Sequence, residues 1–254
     1  MKLNFLGTGT SMGVPVAGGF SYDSLSLDPR DYRLRVSAWI QTEQTSLLID
    51  VGPDFRLQSL RSGIKKIDIL LLTHEHADHI GGLDDLRPFN YVQKKPIKTI
   101  ASPNCIKSIK ERFPYMFPPV KTPGSVDFDF IHVNLFQSFE YRDIKITPFP
   151  VQHGTMEVWA YKINDLVYIT DVSYLTDEAI HFCKNCNQLV ISGLRMSPTH
   201  PTHFTIPEAL EVITKINPKN AWIVHMNSQI KQAEVENELP KNVRLAHDLL
   251  VIHC

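Results

Sequence analysis

The stretch Ile69-Leu70-Leu71-Leu72-Thr73-His74-Glu75-His76-Ala77-Asp78-His79 constrains this chain more than any other. Its apolar half reads as a buried strand, and that strand empties into three histidines and an aspartate just ahead of Ile80-Gly81-Gly82. Imidazoles crowded at a strand end repel one another once protonated, so a merely structural turn is a poor use of them. A bound cation removes the conflict by taking up the neutral lone pairs. Any fold that carries this run has to bring further ligands to the same strand end. The reading is that His74 and His76 reach one ion, while Asp78 and His79, at the start of the next helix, face a second. Mixed nitrogen and oxygen donors of this kind suit zinc, manganese or iron.

The chain holds 11 histidines, and the rest of it contains candidates for the missing ligands. Pro150-Val151-Gln152-His153-Gly154 ends one apolar run with a histidine, Tyr168-Ile169-Thr170-Asp171 ends another with an aspartate, and Trp222-Ile223-Val224-His225 ends a third. Each is weak alone, because strand-end His and Asp residues usually cap turns. Together they complete two shells, with His74, His76 and His153 on one ion, Asp78, His79 and His225 on the other, and Asp171 bridging. The expected cofactor is therefore a pair of divalent ions per chain, zinc or manganese.

Periodicity places strands at Lys2–Leu6, Ser37–Thr42, Ser46–Asp50, Asp68–Thr73, Lys98–Ala101, Phe128–Val133, Ile144–Phe149, Val158–Ile163, Leu166–Thr170, Leu189–Ser192, Ala221–Val224 and Leu249–Ile252. Helices fit at Phe55–Arg61, Asn104–Arg112, Asp177–Cys186, Ile206–Ile216 and Gln232–Leu239, the fourth opened by the capping box Thr205-Ile206-Pro207-Glu208. These are too many strands for one ordinary open sheet. Strands in both halves, each set followed by helices, predict an α/β fold in which two mixed sheets pack face to face between helices, a four-layer αββα sandwich. With 254 residues, 43% of them hydrophobic and 21% charged, and no linker-like stretch, residues 1–254 read as a single domain. The irregular stretch from Gly7 to Arg35 is long for a structureless loop, which marks it as functional.

Further motifs carry a resemblance. Leu6-Gly7-Thr8-Gly9-Thr10-Ser11-Met12-Gly13-Val14-Pro15, Ile49-Asp50-Val51-Gly52-Pro53-Asp54-Phe55-Arg56, Gly82-Leu83-Asp84-Asp85-Leu86-Arg87-Pro88-Phe89 and His200-Pro201-Thr202-His203-Phe204-Thr205, with the ligand order above, resemble the metallo-β-lactamase superfamily. Within it they resemble the PhnP-like branch, the phosphoribosyl cyclic phosphodiesterases and their relatives. The resemblance implies a two-metal hydrolase with the αββα fold, and a non-ligand histidine near the scissile phosphate. His203 matches that histidine and is expected to act as electrostatic partner or general acid, with His200 as the second choice. Asp50 and the turn Thr8-Gly9-Thr10 are expected to support the ligands by hydrogen bonds. Two departures stand out. Where several relatives carry structural zinc ligands, three cysteines and a histidine, this chain has Gly19, Ser21, Ser24 and Ser228, so no structural zinc is expected there. Near the C-terminus, Ala246-His247-Asp248-Leu249 replaces the Ala-Tyr-Asp-Gly usual in the branch.

Charge and chemistry narrow the function. Two divalent ions bring four positive charges, and Asp78, Asp171 and a bridging hydroxide return three, leaving the cleft at about +1. That suits an anionic phosphodiester, and paired ions stabilise both oxygens of an in-line displacement. The expected activity is hydrolysis of a small or cyclic phosphodiester by an activated hydroxide, with Asp78 and His203 as the catalytic residues. A formal net charge of -1 and a pI near 6.8 disfavour nucleic acid as a partner and so weigh against a tRNA 3′-processing endonuclease. A thioester or lactam hydrolase and a non-catalytic metal-binding protein could carry the same ligand set. No run approaches the roughly 18 apolar residues of a membrane span, and the N-terminus lacks the apolar core of a signal peptide, so the expected location is the cytoplasm. Cys105, Cys183, Cys186 and Cys254 read as reduced thiols, with Cys183-Lys184-Asn185-Cys186 as packing rather than a redox pair. The aromatic Phe113–Pro119 segment is open to three readings, a lid, a homodimer contact or simple packing.

Overall fold

The computed structural model describes residues 1–19, 26–120 and 124–254. In the first sheet, β1 (Lys2–Gly7), β2 (Ser37–Gln41) and β3 (Ser46–Ile49) run antiparallel, after which β4 (Ile69–Leu71), β5 (Ile97–Ile100) and β6 (Phe128–Phe130) add in parallel. The second sheet has the same plan. The antiparallel strands β7 (Phe139–Tyr141), β8 (Ile144–His153), β9 (Met156–Ile163) and β10 (Leu166–Ile169) are continued in parallel by β11 (Gln188–Ser192), β12 (Asn220–Val224) and β13 (Val243–Leu245). The last strand, β14 (Val251–His253), returns to pair with β1, so among the described residues each sheet has seven strands.

The period-2 alternation of strand side chains divides the apolar residues between cores. Leu47, Ile49, Ile69 and Leu71 point inward with Tyr161, Tyr168, Val190 and Val224 of the other sheet, forming the core between the sheets. Their neighbours Leu48, Leu70 and Leu72 point out, against α1 (Phe55–Ser62) and, beyond α2 (Ala77–Ile80) and α3 (Arg87–Gln93), against Cys105 and Ile109 of α4 (Pro103–Arg112). On the far side, Val167, Ile169, Leu189 and Ile191 meet α5 (Asp177–Cys183) and α6 (Ile206–Ile216), and α7 (Gln232–Val235) closes that layer. The result is the four-layer αββα sandwich predicted from the strand and helix pattern. Among the described residues no helix is long and apolar enough to cross a membrane.

The differences from the predicted elements have local causes. Strand β8 runs past Phe149 to His153 despite Pro148 and Pro150, because β7 pairs with it only as far as Ile146, so no strand ladder needs the N–H that those prolines lack. The last strand starts at Val251 because Leu249 is left-handed, with φ 66°. Strands β7 and β13, of three residues each, are too short to show a period. The helix expected at Asp177–Cys186 stops at Cys183, and the one expected at Gln232–Leu239 is a single α-turn followed by a 3-10 turn, Glu236–Glu238.

The capping box on α6 is formed. The Thr205 hydroxyl accepts from the Glu208 amide, and the Glu208 carboxylate accepts from the Thr205 amide at 2.7 Å. Thr205→Ala is expected to lower the unfolding free energy by about 1 kcal/mol, seen as a lower denaturant midpoint with an unchanged slope.

Candidate metal centre

The C-terminal ends of β4, β8, β10 and β12 meet at one edge of the sandwich, and each delivers a side chain there. The turn after β4 supplies His74; His76 stands at the N-cap position of α2, whose first turn carries Asp78 and His79. Strand β8 ends in His153, and Asp171 and His225 lie just beyond β10 and β12. Helix α2 lies so close to the turn after β3 that a Cβ on Gly52 would stand 2.0 Å from the Asp78 carbonyl, so only glycine fits there.

These side chains form two clusters, His74, His76, His153 and Asp171 in one and Asp78, His79, Asp171 and His225 in the other, each with its ligand atoms within 4.8 Å of one another. The seven residues singled out as ligands are thus brought together in the expected groups, with Asp171 common to both. Hydrogen bonds on the far side of the rings set which nitrogen faces inward. Asp50, fully buried and left-handed at φ 57°, accepts from the Thr73 amide and hydroxyl at 2.8 Å and from His79 Nδ1 at 2.7 Å. With its proton given to Asp50, the Thr73 hydroxyl accepts from His74 Nδ1 at 3.0 Å. His153 Nδ1 donates to the Thr202 carbonyl at 2.6 Å. These three rings therefore turn an Nε2 lone pair inward.

The inward atoms face one another and the two carboxylates. His79 Nε2 and His225 Nε2 are buried without a hydrogen bond. His74 Nε2 and His76 Nδ1 stand 2.9 Å apart, and His225 Nε2 is 3.2 Å from Asp171 Oδ1. Converging lone pairs and orphaned buried nitrogens around two carboxylates fit divalent cations, and the mixed N/O donor set is of the kind that zinc and similar transition metals accept.

The electrostatics agree. Burial, then the neighbouring His79, pushes His74 well below the usual imidazole range, and burial also lowers His153, so both rings are neutral at pH 7. Burial also opposes charge on Asp171, but His225 and His79 outweigh it and hold the carboxyl ionised. Burial works against a charge on His79 too, yet Asp171, Asp50 and Asp78 raise its pKa well above the ordinary value. A proton on His79 thus competes with a cation at the second cluster.

His203, singled out as the catalytic histidine, lies beside both clusters and outside either ligand group. Its ring stacks on His225 at 4.8 Å and tilts against His153 at 4.5 Å, and Nδ1 is 3.9 Å from Asp171 Oδ2. Burial and the nearby His225 push it down to about 3. His200 stands one ring further out, 5.1 Å from His203, with Nδ1 accepting from the Thr202 amide.

The turn Thr8-Gly9-Thr10 acts less directly than expected. Its backbone brackets Met226, with Met226 N donating to the Thr8 carbonyl and Thr10 N to the Met226 carbonyl, which fixes the residue after His225. What pins that turn is a group that sequence reasoning missed. The Asp248 carboxylate accepts from the Thr8 amide and hydroxyl and from the Leu34 amide at 2.9–3.0 Å, and burial raises its pKa to about 6. The sequence signal was the unusual Ala246-His247-Asp248-Leu249, but its partners lie more than 200 positions away.

Elsewhere, Cys183 and Cys186 are buried free thiols pushed up to about 12 by burial, as a packing role requires. Phe117 stacks on Phe128 and Phe130, and Met116 is buried, so the Phe113–Pro119 segment packs against the outer core. Gly19 and Ser228 are described, whereas Ser21 and Ser24 lie outside the described residues.

Asp50 is expected to matter without being a ligand itself. Asp50→Asn or Asp50→Ala should weaken metal binding about 10- to 100-fold, read by competition with a chromogenic chelator. Wild-type affinity in both variants would deny Asp50 that part.

A profile of the beta-lactamase superfamily domain matches residues 45–226. The chain is 35% identical over 251 residues, 98% of its length, to an octanoyltransferase of Porphyromonas gingivalis, and it spans half the length of that protein. Among solved structures, a diphosphatase from the PhnP family superposes with a TM-score of 0.91 at 35% identity, covering 100% of this chain and 97% of the other. The zinc-bound PqqB of Methylobacterium extorquens, at 19% identity and a TM-score of 0.82 over 100% of both chains, shares the fold. Sequence match, superposition and the edge to which the histidines are carried agree, and the chain belongs to the metallo-β-lactamase superfamily, in its PhnP-like branch.

Proposed function

We propose that this protein is a metal-dependent phosphodiesterase acting on small or cyclic phosphodiesters, with Asp171 shared between two divalent ions. The observation that carries this reading is the pairing of two His/Asp clusters through Asp171 with a third kind of group, His203, held beside them and outside both ligand sets. Divalent ions held there would lower the pKa of water and neutralise charge on a phosphoryl group. His74, His76 and His153 provide nitrogen donors on one side. Asp78, His79 and His225 provide the other, with Asp50 holding His79 in the required tautomer. His203 is uncharged at neutral pH and offers one N–H and one lone pair. It can donate a hydrogen bond to a phosphoryl or leaving oxygen, and a bound phosphate anion raises its basicity so that it can pass on a proton.

A second reading is hydrolysis of a phosphoric anhydride. It is favoured by the 35% identity over the whole chain to a protein described as a diphosphatase. Both reactions displace an oxygen at phosphorus, so the same groups serve either. Acyl transfer is said of a protein twice as long as this chain.

The metal-loaded protein should turn over bis(p-nitrophenyl) phosphate and a cyclic phosphodiester. Faster release from a diphosphate ester would favour the second reading. Activity on an octanoyl thioester with none on any phosphate ester would overturn both.

A further inference from the structure

We infer that the cleft between α4 and the end of β6 binds a medium-chain alkyl tail carrying an anionic head. This inference does not rest on the proposed phosphodiesterase activity. Pro103, Ile106, Lys107 and Lys110 recur at three- and four-residue spacing and so share one face of α4. That face is distinct from the one that buries Cys105 and Ile109. Across a space of about 570 Å³ it looks onto Phe130, Ile131 and Trp159.

The face is graded. Pro103 and Ile106 make its first part apolar, and the ammonium groups of Lys107 and Lys110 follow. Lys107 is answered by Glu111 at 3.9 Å. Lys110 Nζ stands 5.8 Å from the Phe130 ring centroid, and among the described residues no carboxylate pairs with it. An apolar stretch leading to an unneutralised cation complements an amphiphile with a negative head. The tail is a chain and not a stacked ring, because Trp159 is only 5% exposed and offers no open indole face for stacking. From Pro103 to Lys110 the helix rises about 10 Å, the extended length of a chain of about eight carbons.

The cleft also adjoins the candidate metal centre. Trp159 N donates to the Thr73 carbonyl at 3.0 Å, and Arg112 at the end of α4 donates to the Glu75 carbonyl at 2.8 Å. Thr73 and Glu75 flank His74, so floor and wall of the cleft are both tied to the turn that carries the first ligand.

Calorimetric titration of the metal-loaded protein tests this, with high inorganic phosphate present to compete for any anion site at the His/Asp clusters. From butyrate through hexanoate to octanoate, affinity should rise about fourfold per methylene. Octyl phosphate should bind as well, and whichever of the two eight-carbon anions binds tighter names the head group. Octanol should bind about fivefold more weakly than either. Ile106→Glu, at a half-buried position, should abolish the dependence on chain length. Lys110→Glu, at an exposed one, should weaken both anions at least about fivefold and leave octanol unchanged. Lys110→Glu should melt at the wild-type temperature, and Ile106→Glu, which loses a contact with the outer core, should melt lower but still cooperatively. No binding of octanoate at millimolar concentration, an affinity independent of chain length, or indifference to both substitutions would overturn the inference, whatever the protein does to phosphodiesters.

Discussion

Asp171→Ala is expected to empty both clusters together and to lower kcat/KM for a phosphodiester by at least about 10³-fold, since losing paired Lewis acids forfeits several kcal/mol of transition-state stabilisation. The reason lies in the sharing. Asp171 belongs to both ligand groups, whereas His153 and His225 belong to one each. Its two oxygens face different clusters, Oδ2 at 4.0 Å from His74 Nε2 of the first and Oδ1 at 3.2 Å from His225 Nε2 of the second. Removing it also leaves His79 with fewer negative neighbours, which lowers the charge available to hold a cation. Elemental analysis should give up to two transition-metal ions per chain for the wild type and well under one for the variant, with activity lost in step. His153→Ala should spare the second cluster. An Asp171→Ala protein that kept two ions and wild-type turnover would end the assignment.

His203→Ala should give the second large effect and a different signature. His203 is in neither ligand group, so the variant should keep its full metal content while losing roughly 10²- to 10⁴-fold in rate, the span for a positioned acid or base. The loss should shrink for esters with good leaving groups, which depart without a proton. Acidity sharpens the expectation. Burial and His225 hold His203 at about 3, so in the free enzyme it stays neutral throughout the neutral range. The pH profile of kcat/KM, which reports the free enzyme, should show no inflection from His203 near the ordinary histidine value. A metal-replete variant that turned over a poor-leaving-group diester at the wild-type rate would exclude His203 from the chemistry.

Much of this centre was legible because its residues stand where strands stop. A parallel strand of continuous apolar residues announces its end by the first polar group, and Thr73-His74, Thr170-Asp171 and Val224-His225 are such ends. The sequence also carried the layer architecture, since alternation within Leu47–Ile49 and Ile69–Leu72 forces each strand to feed two cores. It could not carry the far partners of the ligands. Asp50 as the acceptor from His79, Thr202 as the acceptor from His153, and Asp248 as the anchor of the turn beside His225 are hydrogen bonds between segments remote in the chain. A hydrogen bond needs two groups placed to within tenths of an ångström, and no local pattern specifies such a distance.

The sequence by itself determined the candidate ligand types, their order along the chain and the strand ends that carry them, because side-chain periodicity and donor chemistry are local properties. Only the tertiary structure decided which nitrogen of each ring faces inward, how each oxygen of Asp171 meets its partners in the two clusters, and that His203 stays uncharged beside them. Those outcomes depend on burial and on groups that meet across the sandwich. The field at each ring comes from residues dozens to hundreds of positions away, and they become neighbours only when the two sheets close on each other.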